Sequence, residues 1–508
     1  MKRAGFGRRR CRAVVCRALA LGAAFGAMVT SSAPAASDPV DRAPAAQADG
    51  RAAEAVDKLA AEVKAWGGSL GVFAIDVETG GALVARGEHA PLNPASNAKL
   101  ATAAAALRTL GPGHRFVTGL YGKITKDAVD KLVLRGDGDP SLGARDVRAL
   151  AHELKAFGVK RVRALLVDQS AFDDRYVPPA FEQQPNEWAA FRAPVSPVSL
   201  DENTVTFTVR PTKRGENAVV AVDPPGLVEV AGSVATTAKG DAEKVTLSLE
   251  PRGSRLAAKL GGTAPEGRAA VFVRRVDDPR LLAGLALRAA LAEEGIEAPA
   301  PALGGERERR LLASHLSPRL AELLFALGKD SDNFYAETIF KAMAAKKRGE
   351  HEAPSGDAPA AATDAAEVVT RELSALHAFE PGVVIKNGSG LFDANRTTPW
   401  ALAELLRSAY RASDLEPEMV AQLSIGGVDG TLHGRFKSWA ATRAIRAKTG
   451  TLDAVAALSG YVLGPPGKSP VAFTIVANGI SGHVGAARPL MDKVVEALAE
   501  QRWQGVAR

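Results

Sequence analysis

Ser96 and Lys99 stand three residues apart in Pro94-Ala-Ser-Asn-Ala-Lys-Leu100, at the head of an alanine-rich run over 101–110. Positions i and i+3 of a helix share a face, so the hydroxyl and the amine can meet there. An amine that is desolvated near other cations loses affinity for its proton and can accept one from a neighbouring hydroxyl. That chemistry makes a serine nucleophilic without a histidine. The first backbone N–H groups of such a helix lie at the positive end of its dipole and suit an anion. S-x-x-K alone also describes an ordinary helix start, so the pair needs support from elsewhere in the chain.

Two triplets give that support. Ser331-Asp332-Asn333 follows Ser96 by 235 positions, at an expected loop-to-helix junction, and Lys448-Thr449-Gly450 lies 117 positions further on, on an expected strand. Taken singly, Ser331 reads as a helix cap and Lys448–Gly450 as a strand meeting a turn. Each occurs once, and no second S-x-x-K exists. All three in this order are poorly explained by coincidence.

The 508 residues exceed what one core usually holds, which predicts two or three domains. A 46% apolar share fits a folded globular protein. The formal charge of +7 invites a nucleic-acid partner, but residues 1–35 hold seven bases and no acids. Setting those aside leaves 57 bases against 57 acids, so no nucleic-acid partner is expected. Residues 1–35 read as a secretory signal, with a basic start, an apolar run over 18–29 and the small-residue pair Ala33 and Ala35. The run is short for a permanent membrane anchor, and none is expected. Cys11 and Cys16 both lie in it, so the mature chain offers no disulfide, thiolate metal site or cysteine nucleophile.

Positioning of the motifs falls to the elements between them. Residues 36–50 form an Ala/Pro/Asp/Ser spacer, 51–66 a helix, and 70–77 with 82–86 a hairpin. A β-α-β stretch spans 132–168, and strands are expected over 204–210, 218–222, 227–234, 244–249 and 271–275, then a helix over 279–294. Helices return at 316–327, 334–346, 365–379 and 400–412. Strands at 446–452, 458–463 and 471–478 and an amphipathic helix over 487–500 close the chain. The expected division is a catalytic domain from 51–118 and 306–508, an inserted domain II from 119–193 and 241–305, and an inserted β-rich domain III over 194–240.

The three motifs, with Gly136-Asp-Gly-Asp-Pro-Ser-Leu142, Ser331 through Glu337, Asn387-Gly-Ser-Gly-Leu391 and Gly427-Val-Asp-Gly-Thr-Leu432, resemble the low-molecular-mass class C penicillin-binding proteins. These are the D-alanyl-D-alanine carboxypeptidase/endopeptidase family of penicillin-binding protein 4. The resemblance covers nearly all of 51–500. It implies an α/β fold, the transpeptidase domain of penicillin-binding proteins and serine β-lactamases, with an antiparallel sheet flanked by helices and split by β-rich inserts. It implies a periplasmic serine D,D-carboxypeptidase acting on peptidoglycan stem peptides, with a second activity on D-Ala cross-links, β-lactams as covalent inhibitors, and no metal or cofactor. Ser96 would attack the carbonyl between two D-alanines, Lys99 would take its proton, and Ser331 would relay a proton to the departing amine. Asn333 would bond the substrate backbone and Lys99. Lys448 and Thr449 would hold the terminal carboxylate, and Gly450 would let the substrate lie on the strand. The N–H groups of Ser96 and Thr451 would form the oxyanion hole. Asp332 reads as a structural helix-start residue. Asn387 and Phe392 depart from the family pattern, where an aspartate and a serine are usual.

Three other readings compete. A β-lactamase shares the acylation chemistry, but the 235-position spacing is wider than its simple domain needs. A penicillin or peptide sensor would acylate without turning over, and the full set of chemical groups argues against it. A metallopeptidase would want an H-E-x-x-H, and the eight histidines are scattered without one.

Overall fold

Two segments near the C-terminus are apolar at almost every position, the pattern of strands covered on both faces. In the computed structural model, which describes residues 50–253, 255–305, 310–350, 359–437 and 442–504, these strands (Val455–Val462 and Val471–Asn478) are buried almost throughout. They occupy the middle of a six-stranded antiparallel sheet. Its order is Ser424–Ile425, Ile445–Leu452, Val455–Val462, Val471–Asn478, Ser69–Asp76 and Ala82–Arg86, so the N-terminal hairpin completes a sheet built mostly from the far end of the chain. The signal expected over 1–35 and the spacer as far as residue 49 lie outside the described residues, and Gly50 already opens the first helix.

Helices cover both faces. Gly50–Ala65 and Val484–Trp503 bury Val56, Leu59, Val63, Val494, Val495 and Leu498 against Leu458, Phe473 and Ile475. On the other side Ala98–Leu110, Asn333–Glu350, Ala362–Ala375 and Pro399–Arg411 pack with Phe73, Tyr461 and Ala472 in a second core. Ala98–Leu110 lies in the middle of that core, with residues 98–107 all buried, Lys99 and Thr102 among them. A helix of that kind is held from every side. Its alanines favour the helix and let neighbours approach closely. The result is a rigid mount for Lys99.

Between Ala98–Leu110 and Leu320–Phe325 the chain builds further sheets. One runs Ala302–Leu303, Arg161–Asp168, Ala128–Gly136, Val117–Tyr121, Leu311–Leu316, with Ile124–Thr125 paired to the side. Two three-stranded sheets follow: Ala270–Arg275, Thr204–Arg210, Val219–Asp223, and Thr246–Arg252, Arg255–Gly261, Val228–Gly232. Ala235–Thr237 pairs with Thr263–Pro265. Strand pairing therefore draws borders that differ from 119–193, 194–240 and 241–305. Val117 and Leu311–Leu316 belong with the inserted sheet rather than with the catalytic segments 51–118 and 306–508, because Leu311–Leu316 pairs with Val117–Tyr121. The β-rich part continues to Arg275, since Ala270–Arg275 pairs with Thr204–Arg210. We propose insert borders near residues 117 and 317 on this basis.

The helix expected over 316–327 is shorter. Pro318 disfavours helical backbone at Ser317, so Leu320–Phe325 is α-helical and a wider π turn, Ala326–Asp330, ends beside Ser331.

Candidate active site

Ser96 does not sit on the α-helix itself. It lies in a 3-10 turn, Ala95–Asn97, that leads into Ala98–Leu110, where Lys99 occupies the first turn. Ala95 has a φ of +46°, a left-handed conformation that costs a non-glycine residue energy. Several contacts hold it. Asn93 Oδ1 accepts from the Ala95 N–H at 2.9 Å, the Asn478 side chain bonds both backbone groups of Asn93 (accepting from its N–H and donating to its C=O), and Asn97 Nδ2 donates to Ser459 Oγ at 2.7 Å. Gly390 takes part through absence: a Cβ there would lie 1.9 Å from Ala95 O.

Lys99 is 1% exposed. Its Nζ lies 3.0 Å from Ser96 Oγ, 2.8 Å from Asn333 Oδ1 and 2.9 Å from Ser389 O. Burial pulls its pKa down to about 7, against the opposing pull of Glu337 and Asp332. A neutral amine is therefore well populated at neutral pH, hydrogen-bonded to the hydroxyl that would have to lose a proton.

Ser331 caps the π turn with a φ of +61°, and its Oγ accepts from Lys448 Nζ at 2.7 Å. Lys448 is wholly buried and also donates to Thr449 O at 2.8 Å. Burial, reinforced by the charge of Lys99, holds its pKa well below the usual lysine range. The two lysines thus face one hydroxyl-lined space. Asp332 turns away to accept from the Tyr335 N–H at 2.9 Å, which is helix capping.

Lys448, Thr449, Gly450 and Thr451 lie on Ile445–Leu452. Among the described residues this strand is paired on one side only beyond Ala447, because the short strand Ser424–Ile425 stops there. The Gly426 N–H donates to Ile445 O, and backbone groups alternate sides along a strand. Thr449 and Thr451 therefore aim their N–H and C=O groups off the free edge. A Cβ on Gly450 would meet Pro94 O at 2.8 Å and Ala95 Cβ at 3.1 Å. The bare backbone there makes room for the turn that carries Ser96.

A family model for the D-Ala-D-Ala carboxypeptidase 3 (S13) family matches residues 52–501. The chain belongs to that family. It is 34% identical to the D-alanyl-D-alanine carboxypeptidase of Actinomadura sp. (strain R39) over 470 residues, 88% of this chain and 84% of the relative. It is 28% identical to the D-alanyl-D-alanine carboxypeptidase DacB of Haemophilus influenzae, over 76% and 80% of the two chains. Its fold matches the crystal structure of penicillin binding protein 4 from Haemophilus influenzae with a TM-score of 0.72, at 24% identity, covering 87% of this chain and 98% of that one. This S13 carboxypeptidase is a serine-type D-Ala-D-Ala hydrolase of peptidoglycan that binds penicillin.

Several groups that support the S13 site had no role assigned from sequence. Glu337 is fully buried, and its two oxygens accept from Ser389 N at 2.7 Å and Gly388 N at 3.0 Å. It thereby fixes the carbonyl that binds Lys99. Burial raises the Glu337 pKa, and those N–H donors oppose the rise. Asn387, one of the two departures, donates to Pro179 O at 2.9 Å and Leu391 O at 3.2 Å, and accepts from Gly390 N. An ionised aspartate could not make the first two bonds. Phe392, the other departure, stacks edge-on with Phe181 and lies under the Arg192 guanidinium. Pro179, Phe181 and Arg192 all come from the insert. The insert also reaches Asn333, whose Nδ2 donates to Phe191 O at 3.0 Å. SDNFYAE showed Glu337 as part of a stretch, but its partners are some fifty residues away and carry no local signal.

Proposed function

We propose that the S13 carboxypeptidase works through a Ser96 acyl-enzyme, with Lys99 as the base. The observation that carries this is a wholly buried amine of pKa about 7, placed 3.0 Å from the Ser96 hydroxyl. Ser96 Oγ attacks the carbonyl joining the last two D-alanines while its proton passes to Lys99. The oxygen that gains charge sits between the N–H groups of Ser96 and Thr451, the first unpaired because it opens a helical turn, the second because it faces a free strand edge. The C–N bond breaks as a proton moves from Lys99 through Ser331 to the departing amine. Water then attacks the ester, Lys99 takes the water proton, and the acyl–oxygen bond breaks as that proton returns to Ser96 Oγ, freeing the shortened peptide. Asn333 holds Lys99 and the substrate backbone. Lys448 and Thr449 hold the terminal carboxylate, and Gly450 lets the strand approach the Ser96 turn. Penicillin would stop at the ester, because its ring-opened leaving group stays attached.

The substrate class is stem peptides ending in D-Ala-D-Ala, with cross-link cleavage as a second activity. A cell-wall substrate places the enzyme outside the cytoplasm, and the leader expected over 1–35 favours the periplasm. Among the described residues no helix is long and apolar enough to cross a membrane.

Mass spectrometry of penicillin-treated protein tests the reading. The adduct is expected on Ser96, and Ser96→Ala is expected to lose both the adduct and D-Ala release while its melting temperature is kept. An adduct on the alanine variant would overturn the nucleophile assignment. An adduct on the wild type without any D-Ala release would favour the sensor.

A further inference from the structure

Beside the Ile445–Leu452 strand lies a cavity of about 180 Å3, lined by Thr431, Thr449, Gly450 and Thr451 and by two arginines, Arg435 and Arg488. The arginines differ. Arg435 is spent on Asp492, whose two carboxylate oxygens it engages. Arg488, near the start of the C-terminal helix Val484–Trp503, is exposed and has no carboxylate partner among the described residues. One of its N–H groups donates to Thr451 Oγ1 at 3.1 Å. A guanidinium has five donors, so the rest remain to be used, in a fork that matches a carboxylate.

The position of this fork matters because of what lies beside it. Thr451 carries an N–H expected in the oxyanion hole, and Thr449 Oγ1, expected to bind the terminal carboxylate, is 2.9 Å from Thr431 Oγ1 in the same hollow. Lys448, the other group expected to hold that carboxylate, is buried beside Lys99, and both circumstances disfavour its charge. Two of its three donors are already taken, by Ser331 Oγ and Thr449 O. A guanidinium keeps its charge at every working pH. Strand alternation puts the Lys448 and Thr449 side chains on opposite faces, so Arg488 reaches the edge from the side that Lys448 does not.

We infer that Arg488 is a specificity-determining residue that binds the substrate's terminal carboxylate, and the corresponding carboxylate of a β-lactam, across the Thr449–Thr451 edge. This rests on the carboxypeptidase reading and adds a residue to it. Substrates with a free carboxylate next to the released amine gain from Arg488. Amide- or ester-capped ones gain nothing.

The test compares a penicillin with its methyl ester as acylating agents of Ser96, in the wild type, Arg488→Gln and Arg488→Lys. A charge-assisted contact made through a bidentate fork is worth about tenfold. Arg488→Gln is therefore expected to slow acylation by the acid about tenfold and leave the ester rate unchanged. Arg488→Lys, which keeps charge but loses the fork, should fall between. On a D-Ala-D-Ala peptide the Gln variant should raise KM about tenfold with kcat nearly constant. An acid-to-ester ratio equal to that of the wild type overturns the proposal, and so does an equal loss on both compounds, which would mark a structural role. Failure of the wild type to acylate with either compound would instead sink the Ser96 reading.

Discussion

Asn333→Asp changes one atom in size terms and tests the assignment of Lys99 as base. Asn333 Oδ1 lies 2.8 Å from Lys99 Nζ, and both groups face a space closed to water on the lysine side. A unit charge about 3 Å from the ammonium, at an effective permittivity of about 20, favours the protonated lysine by about 5 kcal/mol. The amide oxygen already supplies part of that, and the new carboxylate bears its own burial cost, so about 3 kcal/mol remains. That is about two pKa units, which moves Lys99 from about 7 toward about 9. The neutral fraction at pH 7 then drops from about one half to about one hundredth, so acylation slows about fiftyfold. The assay is the second-order rate of Ser96 labelling by a fluorescent penicillin from pH 5.5 to 10. Wild type is expected to rise through an inflection near 7. The variant should rise about two units later and recover much of its rate at pH 10. Loss of a substrate contact alone would lower the variant uniformly and leave its inflection in place. That outcome, or a wild-type profile flat across neutrality, refutes the reasoning.

Two further consequences concern stability. Lys99 has a folded pKa of about 7 against an ordinary value of 10.5, so between those limits the unfolded chain holds a proton that the folded one lacks. Stability therefore rises with pH across that window by about 1.4 kcal/mol per unit from this group, and is lost as pH falls through 7. Lys99→Met should flatten the dependence of the urea midpoint on pH between 7 and 9 by one proton's worth, and an unchanged slope would show that the amine is not desolvated. Asn387→Asp turns a donor to two carbonyls into a buried anion facing them, at a cost of about 2–4 kcal/mol. A clear fall in melting temperature is expected, and wild-type melting would mean that the loop does not depend on those bonds.

Local chemistry made the motifs legible. Ser96 and Lys99 are near neighbours in sequence, and the Ser331–Asn333 and Lys448–Gly450 triplets fell on the junction and the strand expected, while Ser96 lies in a 3-10 turn just ahead of its helix. The long strands that form the middle of the catalytic sheet were visible for the same reason. Leu311–Leu316 was not, because its burial does not alternate and no stripe marks it. Arg255–Gly261 does alternate in burial, through Leu256, Ala258 and Leu260, but it holds no β-branched or aromatic residue and reads weakly as β. Ala95 gave no sign of its left-handed backbone, which is imposed by Asn93 and by the missing side chain of Gly390. Glu337, Phe191 and Arg488 act on the site only after distant segments meet, which no spacing rule anticipates.

The bond from Asn333 to the Phe191 carbonyl ties two jobs together. One end belongs to the amide that bonds the Lys99 amine, and the other to a short 3-10 turn of the insert, Ala190–Arg192. Remodelling that turn, by lengthening or shortening the chain around Phe191, would therefore shift the proton affinity of the buried amine without altering any of the three motifs.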